Sequence, residues 1–308
     1  MLISFFIGQI FIWPIFVYSS FKRKPINNYH RLYMANRVKY TCNNIKWGDS
    51  MESIFPIIIF ILGLLIGSFL NVCIYRIPRG ENIAYPPSHC TSCGNDIKPY
   101  DLIPILSWIF LRGKCRNCRE KISIRYALVE LVTATLFLLT YFQYGMSIYL
   151  ARYLILIPFL IVIAMIDYDT MEVYTSTTWL AIALGIVLLG VNFYVREPVA
   201  TYVYGGLLGA GTIIFIILLS KLMLGTEGMG WGDAEICGLC GMFLGLKLTL
   251  LMMFFSFIIG GAIGIYLLGI KKKNGRAEMP FGPSIIMATF LMIIWGDKIL
   301  NWYFNIIL

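Results

Sequence analysis

Residues 54–75, IFPIIIFILGLLIGSFLNVCIY, contain no charged side chain. An α-helix rises 1.5 Å per residue, so this stretch reaches about 33 Å, enough to cross the hydrocarbon core of a bilayer. It is too long and too evenly apolar for a core helix of a water-soluble domain, and it predicts a membrane span. The same pattern recurs at 126–144, 148–166, 174–194, 202–220, 248–270 and 282–295, the last able to continue past Asp297. A shorter run at 236–246 makes an eighth candidate if Lys247 sits at an interface. Lipid supplies no water to backbone groups, so spanning segments must be helices or closed barrels, and runs of this length are helical. The expected fold is all-α: a polytopic transmembrane bundle of about eight spans with a small cytoplasmic four-cysteine loop domain. Composition agrees, with 59% hydrophobic and 13% charged residues against about 25% charged in a soluble domain.

The net charge of +9 does not point to nucleic acid, because the basic residues gather in a few loops between spans. Residues 76–125 hold nine Lys/Arg against four acids, which places this loop in the cytoplasm by the positive-inside rule. Counting spans from there puts Asp167, the glycine-rich stretch before Asp233 and the basic segment 271–276 on the same side. The first fifty residues disagree. Residues 2–20 are apolar enough to span or to act as a signal-like segment, yet residues 21–50 carry seven Lys/Arg against one Asp. Two basic regions flanking one span cannot both be cytoplasmic. Met51, directly before a good span, is a plausible alternative start, and the reading favoured is that residues 1–50 form an extension outside the functional chain.

The basic loop contains Cys90-Thr91-Ser92-Cys93 and Cys115-Arg116-Asn117-Cys118. Two C-x2-C knuckles can grip one tetrahedral Zn²⁺ from opposite sides. So short a loop has little apolar material for a core, and metal binding would supply its folding energy. Two disulfides are the alternative, disfavoured in a reducing cytoplasm. His89 adjoins Cys90, but four sulfurs already close a site. Cys42 and Cys73 are isolated, and Cys237 and Cys240 suit close helix packing.

Ionisable groups beside spans are costly and functional by default. Asp167 ends a long apolar run, with Asp169 two residues on. Asp233 closes Gly228-Met229-Gly230-Trp231-Gly232-Asp233. Gly230 and Gly232 would let the backbone bend and approach an extended peptide closely. Two facing carboxylates can share a proton, one activating water while the other polarises a carbonyl. Both acids could equally be interfacial groups held by helix ends or basic side chains. The two histidines form no H-E-x-x-H motif and no G-x-S-x-G occurs, which removes the zinc-protease and serine-elbow readings.

From about Phe55 to about Ala288 the chain resembles the type IV prepilin peptidases, bifunctional leader peptidases and N-methyltransferases of the GxGD aspartyl class. The matching pieces come in the family's order. They are Gly67-Ser68-Phe69-Leu70-Asn71-Val72 with Tyr75-Arg76-Ile77-Pro78, then Ser88-His89-Cys90, then the stretch from Tyr100 to Trp108. Arg112-Gly113-Lys114-Cys115-Arg116 and Ile122-Ser123-Ile124-Arg125-Tyr126 follow, with Glu130 just after. Ile166-Asp167, the glycine-rich run to Asp233 and Pro280-Phe281-Gly282-Pro283 complete the set. One departure stands eight residues after Asp167, where the family has Pro-Asp and this chain has Tyr174-Thr175.

The resemblance implies that Asp167 and Asp233 are the catalytic pair, with Asp169 a rival for the first role. It implies a membrane-embedded aspartic endopeptidase that cleaves the basic leader of prepilin-like or pseudopilin precursors. It further implies methylation of the new amino terminus with S-adenosylmethionine, at a site pointing only loosely to residues 67–71 and the cysteine loop. The chain then divides into the extension (1–50), a first span (51–75), a cytoplasmic zinc loop (76–125) and a transmembrane aspartyl peptidase core (126–308). The setting implied is the bacterial inner membrane, with the active site and cysteine loop in the cytoplasm, and membrane lipid but no nucleic acid as partner. Two other readings remain: a proton-coupled transporter using an intramembrane Asp pair, and a catalytically inactive assembly scaffold.

Overall fold

The computed structural model describes residues 49–194, 198–226, 228–271 and 280–307. The expected extension over 1–50 lies, but for its last two residues, outside them, as does Cys42. The described residues form nine α-helices and no strand: α1 (Asp49–Arg76), α2 (Leu106–Phe110), α3 (Ile124–Tyr144), α4 (Ile148–Thr170), α5 (Thr175–Tyr194), α6 (Val199–Leu224), α7 (Trp231–Leu244), α8 (Leu246–Lys271) and α9 (Gly282–Ile307). Seven of them (α1, α3, α4, α5, α6, α8 and α9) are long and apolar enough to cross a membrane, and the protein is a multi-pass membrane protein. The run at 282–295 does continue past Asp297, to Ile307.

The eighth candidate, 236–246, belongs mainly to α7, whose 14 residues rise only about 21 Å. Its direction nevertheless completes the alternation of the bundle. A Cβ on Gly205 or Gly209 of α6 would strike the backbone of α7 at Gly241 and Cys237, and Gly245 closes α7 against Thr201 and Tyr202 of the first turn of α6. α7 therefore runs antiparallel to α6, held by the small-residue contact that lets two backbones approach in lipid. Cys237 and Cys240 are fully buried in this packing, as their spacing suggested. α8 and α9 pair the same way, with Gly260 against Phe281 and Gly296 against Leu248. Gly63 and Gly67 of α1 let it lie against Ala134 and Glu130 of α3.

Local signals set the helix ends. The Ser123 hydroxyl accepts from Arg125 N–H at the start of α3, and that of Ser147 from Leu150 N–H at the start of α4, satisfying orphan donors. Leu156, Leu160, Ile236, Leu239, Ile285 and Met292, from α4, α7 and α9, form the fully buried centre. Leu65, Leu207, Phe215, Phe254 and Ile265 project outward, where lipid would meet them.

Contacts across the chain sort the polar groups to two ends. At one end the Tyr174 hydroxyl reaches the Pro78 carbonyl at 3.3 Å, and Arg125 pairs with Asp169. The cysteine loop, the end of α4 and the start of α5 thus share that end. The Thr178 hydroxyl donates to the Glu235 carboxylate at 2.6 Å, which brings the start of α7 there too. At the opposite end Arg152 of α4 is buried between the Tyr149 and Tyr202 rings and donates to Asn192 at 2.6 Å.

Candidate active site and four-cysteine loop

Asp167 sits in the last turn of α4 and Asp233 in the first turn of α7, 4% and 8% exposed. The two helix ends meet where Val173, just past α4, packs on Gly232, the neighbour of Asp233. Gly282, the first residue of α9, packs directly on this place. A Cβ there would fall on the Asp167 carboxylate and stand 3.2 Å from Ile236 Cδ1, one turn of α7 beyond Asp233. Three helices that are distant in sequence therefore meet around the acids.

The partners of the acids differ. Asp233 accepts from Gly230 N–H at 3.3 Å, and its own N–H donates to the Gly230 carbonyl at 3.1 Å. A negative charge in a first turn is also favoured by the helix dipole. Asp167 Oδ2 is buried without a hydrogen-bond partner. An unsatisfied carboxylate oxygen in a span costs several kcal/mol, so it calls for a functional explanation. Asp169 is occupied elsewhere: Arg125 grips it with two bonds, 2.9 and 2.5 Å long, tying α4 to the start of α3.

The two glycines act in different ways. A Cβ at Gly232 would meet Val173 Cβ at 2.6 Å, so the close approach is to the α4–α5 turn. At Gly230 the nearest atom would be Asp233 Oδ2 at 3.6 Å, and the backbone is extended at φ −75°. Its missing side chain leaves space beside the acid rather than permitting a special turn. Tyr174-Thr175, the departure from the family pattern, still starts α5 cleanly. The Tyr174 carbonyl accepts from Thr177 N–H and Oγ.

The cysteine loop is two copies of one turn. Cys90 N–H donates to the Asn95 carbonyl and Gly94 N–H to the Cys90 carbonyl; Cys115 N–H donates to Glu120 and Arg119 N–H to Cys115 in the same way. The residue after each second cysteine, Gly94 or Arg119, takes the left-handed conformation, at φ +72° and +61°. The four sulfurs lie within 4.8 Å of one another, with Cys90 and Cys118 3.8 Å apart. This set can hold a metal ion, and none of its cysteines is in a disulfide. His89 turns away to the Pro87 carbonyl at 3.1 Å.

Sequence reasoning met the residues that mount this loop only as pieces of the family resemblance and gave them no role. Arg76, 5% exposed, donates to the carbonyls of Asn82, Ile83, Pro86 and Pro87 at 2.6–3.4 Å. Arg116 forks onto Asp101 at 2.7 and 2.8 Å and holds that carboxyl below the usual range. Trp108 Nε1 donates to Ile122, and its ring fills the space a side chain at Gly113 would need. A lone basic residue at the end of a span was the available signal for Arg76, but it does not say that carbonyls will turn toward it.

Comparison with known proteins agrees with this arrangement. The family model described as the bacterial peptidase A24 N-terminal domain matches residues 61–144, covering α1 from residue 61 onward, the cysteine loop and α3. The model for the type IV leader peptidase family matches residues 154–265, which include both acids. Similar proteins named prepilin leader peptidase/N-methyltransferase occur in several bacteria. That of Neisseria gonorrhoeae is 34% identical over 270 residues, 79% of this chain and 92% of its own. That of Bacillus subtilis (strain 168) is 33% identical over 256 residues, 82% and 98% of the two chains. That of Pseudomonas putida is 32% identical over 265 residues, 78% and 90%. No solved structure matches the chain. With two family models in tandem and relatives alike over nearly their whole length, this chain belongs to the type IV leader peptidase family.

Proposed function

We propose that this protein removes the basic leader from prepilin-like precursors by aspartyl catalysis and then methylates the freed amino terminus. The observation that carries the reading is the pair Asp167 and Asp233, buried at one end of the bundle, with an unpartnered oxygen on the first. Asp169 is engaged by Arg125, which favours Asp167 as the first catalytic acid. In the mechanism one carboxyl is ionised and takes a proton from water as that water attacks the scissile carbonyl. The protonated partner donates to the carbonyl oxygen. The space beside Gly230 admits an extended peptide next to the acids, while the bare Cα of Gly282 makes room for the Asp167 carboxylate itself.

The cysteine set fits Zn²⁺. A tetrahedral ion with Zn–S of about 2.3 Å places its sulfurs about 3.8 Å apart, the separation of Cys90 and Cys118. Cys90, Cys93, Cys115 and Cys118 would hold the metal, and its contribution is to fold the loop, since four thiolates leave no open position for substrate. S-adenosylmethionine, when bound, supplies the methyl group. The nine Lys/Arg of residues 76–125 support a cytoplasmic position for this end of the bundle, the side where a basic leader would be retained; the membrane read for it is the bacterial inner membrane. The substrates are prepilin-like or pseudopilin precursors, a reading supported by the word prepilin in the relatives' names.

The test is co-expression with a prepilin-like substrate, reading leader loss and amino-terminal methylation by mass spectrometry. Asp167→Asn and Asp233→Asn should each abolish cleavage while membrane insertion and yield stay unchanged. Cleavage retained in either variant would overturn the assignment of that acid.

A further inference from the structure

Glu130 is a buried carboxylate that the peptidase mechanism does not use. It lies in α3, 8% exposed, where the backbone of α1 at Gly67 passes close enough that a Cβ would meet the Glu130 Cα at 2.7 Å. Glu130 Oε2 accepts from Ile105 N–H at 2.7 Å. Ile105 holds φ +59° and ψ −49° just before α2, a region a β-branched residue enters only at a cost. Ser68 of α1 interacts with the same carboxylate, and Asn71 Nδ2 donates to the Tyr126 carbonyl one turn above. The partners of Glu130 among the described residues are thus neutral donors. A carboxylate desolvated in a span calls for a cation, and these residues do not provide one.

We propose that Glu130 receives the α-ammonium that leader cleavage creates, holding it at the junction of α1, α3 and the cysteine loop for methylation. This rests on the second activity proposed above and assigns a residue to it. Position supports the assignment. Arg125 and Asp169 are paired at one level, Asp167 lies two residues below Asp169, and Glu130 lies five residues below Arg125. At 1.5 Å per residue the acids sit about 3 and 7.5 Å below that level. A new amino terminus leaving Asp167 therefore finds Glu130 at the same end, about 4.5 Å deeper. The chemistry also needs an acceptor. Before the amine can attack, its ammonium must lose a proton, and Glu130 takes that proton. The nitrogen lone pair then forms the N–CH₃ bond as the S–CH₃ bond of the sulfonium donor breaks, its electron pair staying on sulfur.

The experiment uses the purified full chain and two peptides with the mature amino-terminal sequence, one with a free α-amine and one acetylated. Binding is measured without a methyl donor, and methyl transfer with S-adenosylmethionine. The intact chain should bind the free amine at least tenfold more tightly than the acetylated peptide. Glu130→Gln should lose that preference and methyl transfer while keeping leader cleavage and metal content. Glu130→Asp, which keeps the charge, should retain part of the preference. Equal binding of the two peptides by the intact chain, or a preference surviving in Glu130→Gln, would overturn the inference. So would parallel loss of cleavage and metal in Glu130→Gln, the mark of a purely structural carboxylate. Absence of methyl transfer from the intact chain, with the amine preference present, would instead overturn the proposed second activity alone.

Discussion

Replacing Gly282 by alanine separates catalysis from stability. The added Cβ would overlap the Asp167 carboxylate, whose carbon would stand at 3.2 Å, with Ile236 Cδ1 at the same distance. Ordinary contact begins near 3.4 Å, so the carboxylate oxygen must retreat by about 1 Å, while Ile236 yields by a few tenths. The displaced group is the free end of a side chain, and a χ rotation of that size costs about 0.5–1.5 kcal/mol. The helices need not separate, and glycine to alanine within the first turn recovers part of that cost through helix propensity. The fold should therefore survive with a small fall in thermal midpoint. Catalysis is far less tolerant: a misplacement of about 1 Å at a reacting group costs on the order of 100-fold in rate. The assay is leader cleavage by purified protein in detergent, with a melting curve on the same sample. The expected result is a kcat/KM about 100-fold lower, with the midpoint moved by no more than a few degrees. Cleavage at the unaltered rate would refute the placement of Gly282 against a catalytic Asp167. Loss of the folded protein would refute the claim that only the carboxylate moves.

Other perturbations test the surrounding parts. Asp169→Asn breaks the fork to Arg125 but leaves Asp167 in place, and a part-exposed ion pair is worth only about 0.2–1 kcal/mol, so leader cleavage should persist; abolished cleavage would return the first catalytic role to Asp169. Changing Cys90 and Cys93 together to serine should remove the metal, expected at about one Zn²⁺ per chain by elemental analysis, and open the loop to proteolysis. Transition metal absent from carefully reduced intact protein would sink the zinc assignment. Arg76→Met keeps the apolar stem and removes the donors to four carbonyls, a loss of about 2 kcal/mol or more. It should increase proteolysis within residues 80–90 and weaken metal retention, and unchanged protection there would show that Arg76 does not organise the loop.

The sequence by itself determined the bundle, the four-cysteine loop and the two acids. Those features rest on length, on local spacing and on charge: an uncharged run longer than the bilayer is thick, knuckles whose ligands are neighbours, and an acid at the end of a span. The tertiary structure decided what depends on elements far apart in the chain. The resemblance already favoured Asp167 over Asp169, but no local pattern says what either carboxylate touches. Arg125, 44 residues away, occupies Asp169, a contact only the fold brings about. Gly282 was part of a recognisable motif, yet only the meeting of α9 with α4 shows that its missing side chain makes room for a carboxylate. The short α7 reads as one more apolar run, and its pairing with α6 depends on which glycines of the two helices face one another. Apolar residues surround most of these helices on every side, so periodicity does not mark the packed face as it does in a soluble protein. The link between Glu130 and Ile105 N–H was out of reach for a related reason. It joins a span to a left-handed residue in a loop, and residue type alone predicts neither that conformation nor that contact.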